Sequence, residues 1–471
     1  MREDFHMAIR NVVEKFHSLK EKPFRIISHL DADGITSASI LIKAFKREDV
    51  RFSVSIVKGL TINVLEELAM EDYKNYVFLD LGSGQATDVH RILHDRVVII
   101  LDHHKPDSLK LEDVNENFFY INPVFYGFDG SREICGAGVT YLFCKELNKE
   151  NKDLAHLAIV GAVGETQANG GFIGLNTEIL KEAIESGKLE VKTGLRMFGM
   201  QTRPIHKVLE YSTDPYIPGV TGSEEGAVKF LMELDIKVKE DNNWRKLVNL
   251  SEDEMKRLVA GIILRRMGSE DNPEDVLGSI YILEDEIGES STKDAKEFAT
   301  LLNACGRLGK PSFGLGVCLG DKGLKEKAEE LLNTYKRELV KGLNWFHDNR
   351  KTDFIIEGEG YVVINAEGNV RETLIGTLAS IISKSNTYKE GTIILSLAHT
   401  LDDFIKVSIR ICGFKLPDID LRLIIKEINE AIGCNSFGGH KYAAGCIIPV
   451  EKEEEFIKHA QDVLERSVLK V

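Results

Sequence analysis

Between Phe24 and about residue 165 the chain alternates short apolar runs with amphipathic ones, and that rhythm admits few folds. FRIISH, RFSVSIV, YVFLDL and VVIILD read as strands, whereas ITSASILIKAFKR, NVLEELAM and the stretch through VHRILH read as helices. Short apolar strands separated by amphipathic helices make parallel βαβ units. An α/β domain with a doubly wound parallel sheet is therefore expected over residues 1–175, with two further helices through VTYLFCKEL and DLAHLAIVGAVG.

A chain of 471 residues exceeds one ordinary core, so more domains should follow. Residues 176–323 are expected to be a mainly helical extension, carried by segments such as EEGAVKFLMEL and EDEMKRLVAGIILRR. The charged run KEKAEELLNTYKRELVKGLNWF predicts a connecting helix over 324–350. From there YVVIN, TIILSLA, FIKVSIRI and CIIPV alternate with helical runs, which makes 351–471 a second, smaller α/β domain.

The strand ends carry the chemistry. Asp31 and Asp33 follow the first strand, Asp80 ends the third, and Asp102, His103 and His104 end the fourth. Ligands in open α/β sheets bind at the carboxyl ends of the strands, so such a fold gathers these residues into one cleft. Taken singly, each acid suits a helix N-cap or a turn. Together with imidazoles they suit a hard-to-borderline divalent ion, manganese or magnesium. Two such ions about 3.5–4 Å apart can activate water and steady the leaving oxygen of a phosphoester. Asp80, on a central strand, is the natural bridging carboxylate.

Charge argues mildly against a nucleic-acid partner, because the formal net charge is −15 and such proteins usually carry a basic footprint. Bound metal can invert the sign of an acidic cleft, so the objection is not decisive. The seven cysteines form no Cys-x-x-Cys pair, so neither a zinc ribbon nor a disulfide framework is indicated. No apolar run approaches the ~20 residues of a membrane span, and the N-terminal MREDFHMAIRNVVEKF lacks a signal peptide's apolar core. A cytoplasmic location is the expectation. Abundant Glu and Lys beside only Gln85, Gln167, Gln201 and Gln461 suit a heat-adapted organism.

HLDADG, the LDLG around Asp80, LDHH at 101–104 and the glycine-rich run ending at Glu165 resemble the four motifs of DHH phosphoesterases. GGHKYAAG (438–445) resembles the glycine-rich motif of the associated DHHA1 domain, and LLNACGRLG (301–309) resembles the asparagine–glycine–arginine motif of RecJ-type exonucleases. Within the family the resemblance is greatest to archaeal RecJ-like single-strand-specific exonucleases. It implies that Asp31 and Asp80 hold one metal, and that Asp33, Asp80, His103 and Glu165 hold the other. His104 would contact the scissile phosphate as general acid, and Asp102 would orient its neighbours.

Two positions depart from the family pattern. Its metal-binding histidine falls at Ile27 here, with His29 the nearby candidate, and its final aspartate is Glu165. For substrate, Gly438 and Gly439 would let backbone approach a phosphate, with His440 adding a polar contact. Ser408 and Arg410 share a strand face, and Arg410 and Arg307 would pair with backbone phosphates. Lys192, Arg196, Arg203, Lys207, Arg265 and Arg266, together with His90 and His94, read as solvated helix faces.

The function expected is exonucleolytic hydrolysis of single-stranded DNA or RNA by two metal ions, in replication or repair. The alternatives are a phosphodiesterase for short oligonucleotides or cyclic dinucleotides, and a catalytically silent scaffold. The resemblance implies a replisome partner such as GINS, or a fork-repair helicase.

Overall fold

In the computed structural model the apolar run after Pro23 forms β1 (Phe24–His29), the second strand of a five-stranded sheet. The structure describes all residues except 1, 213–214, 268–271, 287, 386, 414–418, 435–436 and 469–471, and leaves out the side chains of His440 and Val468. β2 (Phe52–Val57), β3 (Asn75–Leu79), β4 (Val97–Leu101) and β5 (Phe118–Ile121) complete the sheet in the order β2-β1-β3-β4-β5. Every pairing is parallel. The chain leaves β1 to one side for β2, then crosses to the other side for β3. That reversal opens a crevice between the carboxyl ends of β1 and β3.

Helices α1 (Arg2–Leu19), α2 (Ala32–Arg47), α3 (Ile62–Met70), α4 (Ala86–Ile92), α5 (Gly136–Leu147) and α6 (Ala155–Gly164) accompany the sheet. α1 buries Phe5, Ile9, the adjacent Val12 and Val13, and Phe16, which recur every three or four residues as one helical stripe. Phe16 stacks on Phe24 with ring centroids 5.1 Å apart and meets Phe45 at 5.2 Å, which fastens the helix to β1 and α2. β5 has no counterpart in the sequence reading, because its four residues FFYI are too short to show a period.

His156, near the start of α6, donates from Nδ1 to the Asp153 carbonyl at 2.8 Å. Burial, helped by the nearby Lys43 ammonium, pushes its pKa down to about 4. The unfolded value is about 6.5, so the unfolded chain takes the proton first, and stability falls as pH drops from 6.5 towards 4. Between pH 7 and 5 the native protein should lose up to about 1 kcal/mol per pH unit more than His156→Gln, read from urea midpoints. Parallel losses in the two proteins would refute this.

The middle of the first unit holds α7 (Gly174–Glu185), α8 (Ile205–Glu210), α9 (Glu224–Glu233), α10 (Glu252–Arg266), α11 (Ala295–Arg307) and α12 (Pro311–Cys318). Strands interrupt this helical region. β6 (Leu189–Leu195) pairs antiparallel with β9 (Leu277–Leu283), and β7 (Lys239–Glu240) with β8 (Asn243–Trp244). In β6 only Leu189 and Leu195 are buried, so the apolar alternation that announces a strand is missing. A separate apolar cluster, including Ile205, Val208, Phe230, Leu258 and Ile262, fills this region.

The chain divides into compact units Met1–Leu332 and Asn333–Val471, and α13 (Lys322–Asn349) carries it from one to the other. The second unit has a six-stranded mixed sheet of β10 (Ile355–Gly358), β11 (Tyr361–Asn365), β12 (Ile393–His399), β13 (Phe404–Ile411), β14 (Phe437–His440) and β15 (Ala443–Pro449). Its order is β10-β11-β12-β13-β15-β14, with α14 (Glu372–Lys384) on one face. On the other face α15 (Leu421–Ala431) and α16 (Glu453–Val468) pack Ile425, Ile428, Phe456 and Leu464 against Ile405, Val407 and Ile409 of β13. Among the described residues no helix is long and apolar enough to cross a membrane.

Candidate metal centre

The crevice between β1 and β3 collects the acids. Asp31 leaves β1 with extended backbone and caps α2, its Oδ1 accepting from the Gly34 amide at 3.0 Å. Its Oδ2 lies 2.8 Å from His29 Nδ1. Asp33, in the first turn of α2, is buried and accepts from the Gly136 and Ala137 amides at 2.7 and 2.8 Å, so it faces the N-terminus of α5.

Asp80 sits one residue past β3 at φ +56°, a left-handed conformation that aspartate tolerates better than most residues. Both its carboxylate oxygens are buried, and neither accepts a hydrogen bond. Their neighbours are imidazoles: His103 Nε2 at 3.2 Å, His29 Nδ1 at 3.5 Å and His104 Nδ1 at 3.9 Å. A Cβ on Gly136 would press into Asp80, so the glycine that opens α5 makes room for the carboxylate.

The triplet after β4 divides its labour. Asp102 Oδ1 accepts from the His103 amide at 2.7 Å, the His104 amide at 3.2 Å and His104 Nδ1 at 2.8 Å. Its Oδ2 accepts from the Ser83 amide at 2.9 Å. Asp102 thus accepts four hydrogen bonds inside the protein, which suits an orienting group better than a ligand. His103 Nδ1 lies 2.6 Å from the Gly130 carbonyl, which only accepts, so Nδ1 carries the proton. Nε2 is then the ring nitrogen that could meet a cation, and it lies 3.2 Å from Asp80 Oδ1 and 3.6 Å from Asp33 Oδ2. By the same logic His104 Nδ1 donates its proton to Asp102.

The electrostatics mark an excess of negative charge. Burial and the Asp80 charge push Asp33 up to about 8. Burial, with Asp31 and Asp33 nearby, pushes Glu165 up to about 7. Burial opposes protonation of His103, but Asp80 and Asp33 outweigh it and raise its pKa well above the usual value. For Asp102, burial is overcome by His104, which holds the carboxyl far below the ordinary range. A cation among these oxygens would remove the conflict.

Two ligand sets emerge, His29-Asp31-Asp80 and Asp80-Asp102-His103-His104, each with donor atoms within 4.8 Å of one another. They share Asp80. The donors are carboxylate oxygen and imidazole nitrogen, a set that fits manganese or magnesium. Cys135 is close to Asp33, but burial and that carboxylate raise its thiol pKa far above neutrality, so it stays protonated.

The structure thus brings His29, Asp31, Asp33, Asp80, Asp102, His103, His104 and Glu165 together. Ile27 is fully buried in an apolar cluster, and His29 stands among the carboxylates. Sequence reasoning did not single out Gly130, Gln167 or Asn122. Gln167 Nε2 donates to the same Gly130 carbonyl at 2.9 Å, and Asn122 Nδ2 to the His104 carbonyl at 2.8 Å. Both act through backbone, which leaves no mark in a motif.

His90 lies 3.3 Å from the Asn115 amide and packs edge-on against Phe118, away from the acids. Lys192, Arg196, Lys207, Arg265 and Arg266 each meet a carboxylate, and Arg203 lies over the Phe198 ring. Arg307 ends α11 half-buried.

In the second unit, Ser408 and Arg410 of β13 face α14, where Arg410 Nε donates to Ser380 Oγ at 2.9 Å and Nη1 to the Ile409 carbonyl at 2.8 Å. Gly438 and Gly439 belong to the edge strand β14. Gly439 has φ +121°, and a Cβ there would overlap the Ala443 carbonyl, whereas Gly438 faces open space. The His440 side chain lies outside what the structure describes.

The chain is similar to known proteins in sequence and in fold. The DHH family, N-terminal domain model matches residues 23–162, the DHH-CID domain 197–278 and the DHHA1 domain 358–466. The chain is 31% identical over 447 residues to the uncharacterized protein MJ0831 of Methanocaldococcus jannaschii, covering 93% of each. It is 27% identical over 145 residues, 29% of this chain and 24% of the relative, to the putative SPbeta prophage-derived single-strand DNA-specific exonuclease YorK of Bacillus subtilis.

Among solved structures, RecJ with Mn2+ from Thermus thermophilus superposes with TM-score 0.59 at 16% identity, over 98% of this chain and 55% of RecJ. CDC45 from Entamoeba histolytica superposes with TM-score 0.64 at 13% identity, over 98% of each chain. At such identities the likeness is one of fold. With the curated match over nearly its full length, and with DHH, DHH-CID and DHHA1 domains in that order, the chain belongs to the DHH phosphoesterase family.

Proposed function

We propose that the protein is a metal-dependent phosphodiesterase that shortens single-stranded DNA or RNA from an end. The observation that carries this reading is Asp80. Its two buried oxygens make no hydrogen bond and sit between two sets of metal-compatible side chains. A buried carboxylate left in that state costs free energy unless a cation completes it.

Asp31 and Asp80, with His29, would hold one ion. Asp33, Asp80, His103 and Glu165 would hold the other. A bound pair of manganese or magnesium ions supplies activated water and offsets charge developing on the phosphoester. The protein's own part is orientation. Gly130 turns His103 Nε2 inward, and Asp102 fixes His104 so that a proton at Nε2 can pass to the leaving oxygen. Arg307, Ser408, Arg410, Gly438, Gly439 and His440 are proposed to grip the phosphates of the strand, with a replisome component such as GINS or a fork-repair helicase as a further partner.

Single strands of DNA and of RNA, labelled at either end and incubated with Mn2+ or Mg2+, should give a ladder of progressively shorter products. Release from oligomers of a few residues alone would favour a short-oligonucleotide or cyclic-dinucleotide phosphodiesterase. A silent scaffold is the second reading, favoured by the fold likeness to CDC45. The acids converging around Asp80 oppose it, and absence of cleavage under every condition would establish it over the enzyme.

A further inference from the structure

We propose that Asn303 is a positioning residue for the loop that carries Asp31 and Asp33. Its side-chain oxygen holds the Ala32 amide and thereby sets the direction of both carboxylates. The proposal rests on the metal-centre reading above.

The first amides of a helix have no partner within it, and each needs one from elsewhere. At the start of α2, Asp31 satisfies the Gly34 amide with its own side chain. The Ala32 amide, flanked by the two acids, is satisfied by Asn303 Oδ1 at 3.0 Å, from 271 residues further along the chain. Because an amide N–H only donates, the atom that meets it must be the asparagine oxygen.

Asn303 does not act alone. Three residues on, and so on the same face of α11, a Cβ at Gly306 would overlap the Leu30 carbonyl oxygen. Helix α11 therefore rests its backbone directly on the peptide before Asp31. From the α6 side, a Cβ on Gly164 would lie 2.8 Å from Ala32 Cβ, and the next residue is Glu165. Leu30 to Ala32 is thus clamped between two helices, and Asn303 supplies a hydrogen bond from α11 to its backbone. Glu297, at the other end of α11, accepts from the Gln201 amide at 2.8 Å and anchors the helix in turn. A rotation of the Asp31–Ala32 peptide would swing both carboxylates, since they flank it in sequence. Among the described residues Asn303 makes no hydrogen bond to Asp31 or Asp33, so its effect passes through the loop.

The test is calorimetric titration of the full chain with Mn2+ alone, for the native protein, Asp80→Asn, Asn303→Ala and Asn303→Asp. Removing groups that orient metal ligands costs 10–100-fold in affinity in metalloproteins. Asn303→Ala should therefore bind Mn2+ about 10–100-fold more weakly than the native protein, whereas Asn303→Asp, which keeps an acceptor in place, should stay within about threefold. If Asn303→Ala fails to fold, Asn303→Leu, of similar volume without an acceptor, takes its place. A purely structural role would lower the melting temperature and leave Mn2+ affinity unchanged, and that result overturns the proposal. So does failure of Asn303→Asp to restore binding. If the native protein takes up no Mn2+, or Asp80→Asn binds as well as native, the metal-centre reading falls and this proposal with it.

Discussion

Asp80→Asn should abolish metal-dependent cleavage while making the metal-free protein more stable. Both effects come from one observation, the two buried carboxylate oxygens that accept no hydrogen bond. Stabilisation of a phosphoester transition state by bound metal is worth several kcal/mol, so losing the shared ligand should cut turnover by about a thousandfold or more, or ~4 kcal/mol. Without metal, the native carboxylate is a buried charge that pushes up the Asp33 carboxyl and accepts no hydrogen bond from the imidazoles of His103, His29 and His104 around it. Asparagine removes that charge and suits the left-handed backbone at φ +56° as well as aspartate does. A gain of ~1 kcal/mol would raise the melting temperature by about 2–4 °C. The rise that Mn2+ produces in the native protein should vanish in the variant. A variant that melts lower than native without metal, or that keeps the Mn2+ response, would refute the assignment.

Asp102→Asn should do the opposite. Asp102 accepts four hydrogen bonds from amides and an imidazole, shared between its two oxygens. An asparagine can replace one oxygen, but its amide nitrogen then confronts a donor. Either the Ser83 amide is stranded, or the His103 and His104 donors are. Leaving a buried donor unmet costs about 1–3 kcal/mol, so this variant should melt below native with or without metal. His104 loses the carboxylate that fixes its tautomer, and cleavage should fall about 10–100-fold. Mn2+ should still bind, since Asp31, Asp33, Asp80 and His103 remain. Calorimetric titration beside a cleavage assay separates the cases. Total loss of Mn2+ binding in Asp102→Asn would mean that Asp102 is itself a ligand.

Together the two substitutions distinguish side chains with similar sequence signatures. Asp80 and Asp102 each follow five residues of a buried strand, and nothing in the runs YVFLD and VIILD tells ligand from orienting group. The distinction comes from hydrogen-bond satisfaction. Ser83 and the two histidine amides saturate Asp102, while imidazoles and a glycine without a side chain surround Asp80. The strained, unsatisfied residue is the candidate for binding and the satisfied one for support.

The middle region shows the other limit of sequence reasoning. Amphipathic helices such as α9 and α10 declare themselves by period. The β6–β9 ribbon does not, because most of β6 is exposed and its register depends on a partner more than eighty residues away. β14 was hidden for a different reason: a Gly-Gly pair reads as a turn, yet here it lines an edge strand where Gly439 alone meets the backbone requirement.

The sequence by itself determined the alternation that makes a parallel sheet, and with it the placing of Asp31, Asp80 and Asp102 at strand ends. Both follow from period and order along the chain, which are local. Tertiary structure alone decided the state of each atom there. Asp80 lacks a hydrogen bond, His103 turns Nε2 inward because Gly130 takes its other proton, and the Ala32 amide is held from residue 303. The physical reason is that hydrogen bonds and burial are set by whatever the fold brings within about 3 Å, and contacts of 27 or 271 residues' separation leave no periodic trace in a sequence.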